Sequence, residues 1–112
     1  MSATRFGLPA EAVDKINDVL AAHPEVESAI LYGSRAKGNY RPGSDIDLTL
    51  VGGRLVHHDL LKIMGELDDL LLPYTIDLSI FHTIDHEGLR DHIERVGQEF
   101  YRRQDFETPH SA

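Results

Sequence analysis

Cysteine is absent from the 112-residue sequence, which excludes disulfides and thiolate metal sites and leaves carboxylate and imidazole as the strong metal ligands. A reducing, cytoplasmic setting suits such a chain. No stretch approaches the roughly 20 apolar residues that span a bilayer, and Met1-Ser2-Ala3-Thr4-Arg5 leads into no apolar signal core. A soluble protein without membrane contact is expected. Positive charge is also scarce: 11 Lys and Arg stand against 19 Asp and Glu, a formal net charge of −8. That surface repels polyanions, so direct binding of DNA or RNA is not expected as the main role, and a small anion suits better. Arg35, Lys37 and Arg41 are the basic residues placed to grip one. Arg41 comes first among them and Lys37 last, because arginine offers two donors to a phosphate where lysine offers charge alone.

With 41% hydrophobic residues, the chain suits one folded unit and one cleft, since a domain half this size hides too little apolar surface to stand alone. The expected division is a domain over residues 1–102 and a tail over 103–112. The tail mixes charge with Pro and Ser and buries little. A transferase that needs a second domain for its acceptor would have to borrow it, so a partner chain is expected.

Periodicity sets out the elements. Pro9 opens a helix whose Ala12, Val13, Ile16, Val19 and Leu20 share one face until His23-Pro24. Val26 to Tyr32 reads as a strand that Gly33-Ser34 ends, followed by a short helix or turn over 34–38 and a loop over 39–44. From Asp45 to Val51 the residues alternate, with Asp45, Asp47, Thr49 and Val51 on one side and Ile46, Leu48 and Leu50 on the other. The spacing then predicts a helix over 57–72, striped by Leu60, Ile63, Met64, Leu67, Leu70 and Leu71. A strand over 74–81 carries Asp77 opposite Ile76, Leu78 and Ile80. A last helix, capped by Asp85, runs to about Tyr101 with Leu89, Ile93, Val96 and Phe100 inward. The fold class is α/β (α+β): a small mixed sheet with helices packed against it, its strand order left open.

Three acids carry the chemistry. Asp45 and Asp47 lie two apart on a strand, so their carboxylates project from one side and repel unless a divalent cation sits between them. Mg2+ suits such a pair, because it takes hard oxygen ligands and leans on one or two carboxylates plus substrate phosphates. Asp77, on another strand, would be the third acid. Gly33 lets the chain turn tightly and Ser34 opens a helical turn, where unpaired N–H groups favour a nucleotide phosphate.

Gly33-Ser34-Arg35-Ala36-Lys37-Gly38, then Asn39-Tyr40-Arg41-Pro42-Gly43, then Ser44-Asp45-Ile46-Asp47-Leu48, resembles the signature of the minimal nucleotidyltransferase (MNT) proteins of the DNA polymerase beta superfamily. The resemblance extends over about Pro9 to Tyr101 and implies the nucleotidyltransferase fold. It implies that Gly33 and Ser34 contact the triphosphate of ATP and that Asp45, Asp47 and Asp77 bind Mg2+ and serve catalysis; Arg41 and Ser44, in the loop before the paired acids, are further candidate nucleotide contacts. It further implies an antitoxin that transfers AMP to a tyrosine of a separately encoded HEPN ribonuclease toxin, in a hetero-oligomer, with a homodimer as the alternative assembly.

Two other functions stand beside this one. The chain would neutralise its partner by occlusion alone, through the exposed stripe of its final helix or its tail, or it would modify a small hydroxylated molecule. His57, His58, His82 and His86 are not in a spacing typical of structural zinc. Tyr40 is the tyrosine best placed to stack on adenine.

Overall fold

The computed structural model describes residues 4–103. A short hairpin, β1 (Thr4–Arg5) and β2 (Leu8–Pro9), turns through Phe6 and Gly7 at positive φ and feeds α1 (Ala10–Ala21). After α1 come β3 (Ser28–Tyr32), α2 (Ser34–Lys37), β4 (Ile46–Val51), α3 (His57–Asp68) and β5 (Ile76–Ile80). A 3-10 turn at Phe81–Thr83, then α4 (Glu87–Val96) and β6 (Gln98–Arg102), complete the described chain.

Four strands form one sheet in the order β5-β4-β3-β6. β3 runs antiparallel to both neighbours, while β4 and β5 are parallel, joined by α3 as the crossover that parallel neighbours need. The sheet is therefore mixed, and helices cover both of its faces. On one face Ala29, Leu31, Ile46, Leu48, Leu50, Leu78 and Ile80 meet Val13, Ile16 and Leu20 of α1 and Ile63 and Leu67 of α3. Side chains of this kind each stabilise the fold by roughly 1.5–3 kcal/mol when fully buried, which makes this face the stability core. The opposite face carries Ile30, Tyr32, Asp47, Thr49, Asp77 and Ser79, with α4 over its β3 side. There Ile93 is buried, and His92 meets Tyr32 edge-on with ring centroids 6.2 Å apart.

The structure corrects several expectations. The helix expected over 57–72 ends at Asp68, because acidic Asp68 and Asp69 sit at the negative end of its dipole and Pro73 steers Leu72 away from helical angles. Leu71 consequently turns outward at φ 56° and is 87% exposed, and Met64 is exposed too, so neither joins the core stripe. The last helix does not reach Tyr101. It stops at Val96, Gly97 is extended, and Gln98–Arg102 pairs with β3 as an edge strand that buries Phe100. Its cap is His86, whose Nδ1 accepts the Leu89 N–H at 3.0 Å, and not Asp85. The apolar stripe of α4 faces the sheet through Ile93, so it is not the exposed occluding surface expected of it.

Arg103 is tied to the body: its N–H donates to the Glu27 carbonyl, and its guanidinium to the carbonyls of Val26, Ala21 and His23. The rest of the expected tail, 104–112, lies outside the described residues. Among the described residues no helix is long and apolar enough to cross a membrane.

Candidate active site

The strand directions decide where the polar groups meet. Antiparallel pairing lays the end of β3 beside the start of β4, and parallel pairing lays the start of β4 beside the start of β5. Tyr32 is accordingly the partner of Asp47, and Asp47 the partner of Asp77, in a single row across three strands. Partners in register share a face at a strand separation of about 4.8 Å, so two carboxylates from distant parts of the sequence stand as neighbours. Asp45 lies two residues before Asp47, exposed at the entrance to β4.

Gly33 follows the row directly. Its angles, φ 77° and ψ −155°, belong to glycine, and a Cβ at this position would run into the Asp47 carboxylate. The turn is thus fitted against the acid. Ser34 opens α2, whose first N–H groups have no acceptor within the helix and form a place for an anion. Gly38 closes α2 in the left-handed conformation at φ 86°, donating its N–H to the Ser34 carbonyl at 2.9 Å.

Burial raises the pKa of Asp47 above the usual carboxylate value, the Asp77 and Asp45 charges raise it further, and the His92 imidazole opposes them. Asp47 therefore senses both of the other acids. Among the described residues no group of three or more Asp, Glu or His side chains is gathered closely enough to hold a metal ion, so Asp45, Asp47 and Asp77 do not form a ready-made three-ligand cluster. An all-oxygen, open donor set beside an anion-holding turn fits Mg2+, which completes its shell with water and substrate phosphate, and mutual repulsion at Asp47 is what a divalent cation relieves.

Other expected residues are used differently. Arg35, weighed as a phosphate contact, is 3% exposed and spends its donors on backbone carbonyls, which removes it from that role. Arg41 is exposed on the loop, and its backbone N–H donates to Ser44 Oγ at 2.8 Å, so the Ser44 hydroxyl closes that turn. Tyr40 packs on Gly7 and on the Arg35 guanidinium. His82 Nε2 lies 3.1 Å from the Leu55 carbonyl oxygen, His86 caps α4, and His57 and His58 are exposed at the start of α3.

Sequence reasoning missed three neighbours of the acids. Tyr32 is buried in the row itself. Its phenol pKa is raised by burial, lowered by the Ser79 hydroxyl, and raised again by the Asp77 and Asp47 charges. Ser79 Oγ donates to Thr49 Oγ1 at 2.9 Å, a hydroxyl pair one step further along the same face. His92 was hidden because a polar residue on a helix stripe carries no hydrophobic signal, although its spacing from Leu89, Ile93 and Val96 places it on their face.

The family described as Polymerase beta, Nucleotidyltransferase matches residues 14–106. The chain belongs to the polymerase beta nucleotidyltransferase family, and so to a family of enzymes. No curated protein sequence matches it. Among solved structures, a toxin-antitoxin crystallised with AMP-PNP is 21% identical, with a TM-score of 0.66 over 83% of this chain and 75% of that one. A tri-AMPylated Shewanella oneidensis HEPN toxin in complex with MNT antitoxin is 18% identical, with a TM-score of 0.62 over 85% and 73%. The MntA-HepT toxin-antitoxin gives 18% and 0.62 over 85% and 74%. At these identities the likeness is one of fold.

Proposed function

We propose that this chain is an MNT antitoxin that transfers AMP from ATP to a tyrosine of a HEPN ribonuclease in a Mg2+-dependent reaction. The observation that carries the reading is the register of Asp47 with Asp77, with the Gly33 turn fitted against the Asp47 carboxylate. The fold shared with the toxin-antitoxin structures, one with AMP-PNP and one with an AMPylated HEPN toxin, supports the nucleotide and the partner.

In this reading the N–H groups after Gly33, with the Ser34 hydroxyl, hold the β- and γ-phosphates and keep pyrophosphate in line to leave. Asp45, Asp47 and Asp77 would hold the Mg2+, which supplies charge neutralisation of the triphosphate when bound. Asp77, on the edge strand and exposed, accepts the proton of the incoming tyrosine hydroxyl. The tyrosine oxygen bonds to the α-phosphorus as the bond to pyrophosphate breaks. Arg41, on an exposed loop, draws the triphosphate in.

The test is incubation of the chain with ATP labelled at the α-phosphate, Mg2+ and the protein encoded by the neighbouring gene. Label on a tyrosine of that protein, lost with Asp47→Asn, is the expected result. An Asp45→Asn/Asp47→Asn variant that protects cells as fully as the parent would instead assign neutralisation to binding alone.

A further inference from the structure

Arg35 is the one buried charged side chain among the described residues. A guanidinium takes such a position only when its donors are used and its flat faces covered. Nε and Nη2 both donate to the Ser44 carbonyl, at 3.1 and 2.9 Å, and Nη1 donates to the Phe6 carbonyl at 2.9 Å. The rings of Tyr40 and Tyr74 lie against it, their centroids 5.2 and 5.3 Å from Cζ.

What matters is where those partners sit in the chain. Arg35 itself follows the Gly33-Ser34 turn. Ser44 immediately precedes Asp45, and Tyr74 stands three residues ahead of Asp77. The turn after β3, the approach to Asp45-Asp47 and the approach to Asp77 are therefore all in contact with one guanidinium. The bonds to the Ser44 carbonyl tie the start of the 34–38 segment to the far end of the loop that follows it.

We propose that Arg35 is a positioning residue that fixes the spacing between the phosphate-holding turn, the Asp45-Asp47 segment and the lead into Asp77 before nucleotide arrives. It acts through Ser44 and Tyr74 and touches no nucleotide itself. Lysine keeps the charge but cannot place two donors on one carbonyl while presenting a flat face to two rings, so a charge-conserving change still breaks the brace. A site held a fraction of an ångström out of place loses turnover more than ground-state binding.

The variant to make is Arg35→Lys, with Tyr74→Leu as a milder break that keeps the arginine and Val13→Ala as a core change distant from the row. Hydrogen exchange followed by mass spectrometry reads the 39–46 segment in the full chain without nucleotide. Steady-state AMP transfer reads kcat and KM for Mg2+-ATP, an arm that rests on the function proposed above. Arg35→Lys is expected to speed exchange over 39–46 about 10-fold with α1 unchanged, and to lower kcat about 10- to 100-fold with KM within about 3-fold. Tyr74→Leu moves the same readouts less, and Val13→Ala lowers Tm without moving them selectively. Parent-like exchange over 39–46 in Arg35→Lys, or equal effects in Val13→Ala, would overturn the proposal. If Arg35→Lys does not fold, parent-like exchange in Tyr74→Leu overturns it. A parent that transfers no AMP sinks the function while the exchange arm still decides the brace.

Discussion

The two faces of the β3-β4-β5 region are written by the same strands and serve opposite ends. On one face Ile46, Leu48 and Leu50 alternate into a core with no solvent exposure. On the other, one residue out of phase, Asp47 pairs with Asp77 and Thr49 with Ser79. The apolar face gains stability from every contact. The polar face holds like charges together, an arrangement that costs stability and is retained for chemistry. The sharpest way to break the comparison is Asp47→Asn, which is expected to lower AMP transfer by about 10^3-fold, on the order of 4 kcal/mol in the barrier, without unfolding the chain. Labelled-ATP kinetics beside a thermal melt measures both. Its mirror image is Leu48→Ala, expected to cost about 2–5 kcal/mol of stability through the cavity it leaves. Urea titration reads that loss, and activity per folded molecule stays close to the parent's below the transition.

Much of this division is legible before any coordinates, for a physical reason. A strand's period of two sorts Asp47 from Leu48 without ambiguity, and Pro73 and Gly33 punctuate the chain wherever they occur. The C-terminal end misleads because Val96 and Phe100 are four apart, a spacing that suits a helix face and a strand face equally. Gly97 between them, poor in a helix by about 1 kcal/mol, is the signal that favours the break. The pairing of Tyr32 with Asp47 was not legible, since strand order depends on tertiary packing, and neither was the burial of Arg35, whose carbonyl partners are backbone groups without sequence identity. Composition drew attention to that arginine as a phosphate ligand. Its contacts give it to the scaffold.

Between the two extremes lies Gly33, which belongs to both faces of the comparison: Gly33→Ala adds a Cβ at positive φ and presses it on the Asp47 carboxylate. An expected cost of roughly 1–3 kcal/mol in stability should come with a loss of Mg2+-ATP binding by calorimetry. A parent-like affinity would separate the turn from the nucleotide. A smaller effect tests the hydroxyl pair. Ser79→Ala leaves Thr49, which is fully buried, without its donor and should cost about 1 kcal/mol. The Thr49→Val/Ser79→Ala double variant should cost less than the two single changes summed, because an apolar pair leaves nothing unsatisfied.

The subtlest prediction concerns pH, and its sign distinguishes the acid row from an ordinary paired carboxylate. Because burial and the charges of Asp77 and Asp45 raise the Asp47 pKa in the fold, the folded chain holds that proton more tightly than the unfolded chain does. Above the raised folded pKa both states are ionised and the penalty on the fold is fully present. As pH falls through that pKa toward the unfolded value of about 3.9, the fold takes up its proton first and the penalty is relieved. Asp47→Asn never carries the charge, so at neutral pH its Tm should exceed the parent's, by roughly 2–5 °C for the relief of one strained functional site. The gap should close as pH is lowered toward about 4. Taking the difference between the two proteins removes the contribution of carboxylates remote from the row. Millimolar Mg2+ with ATP at neutral pH should raise the parent's Tm and leave the variant's nearly unmoved, since ligand binding to the fold stabilises only the chain that retains the site. A Tm difference that widens on acidification would mean that Asp47 is held by a partner charge, and that the repulsion assigned to the row is absent.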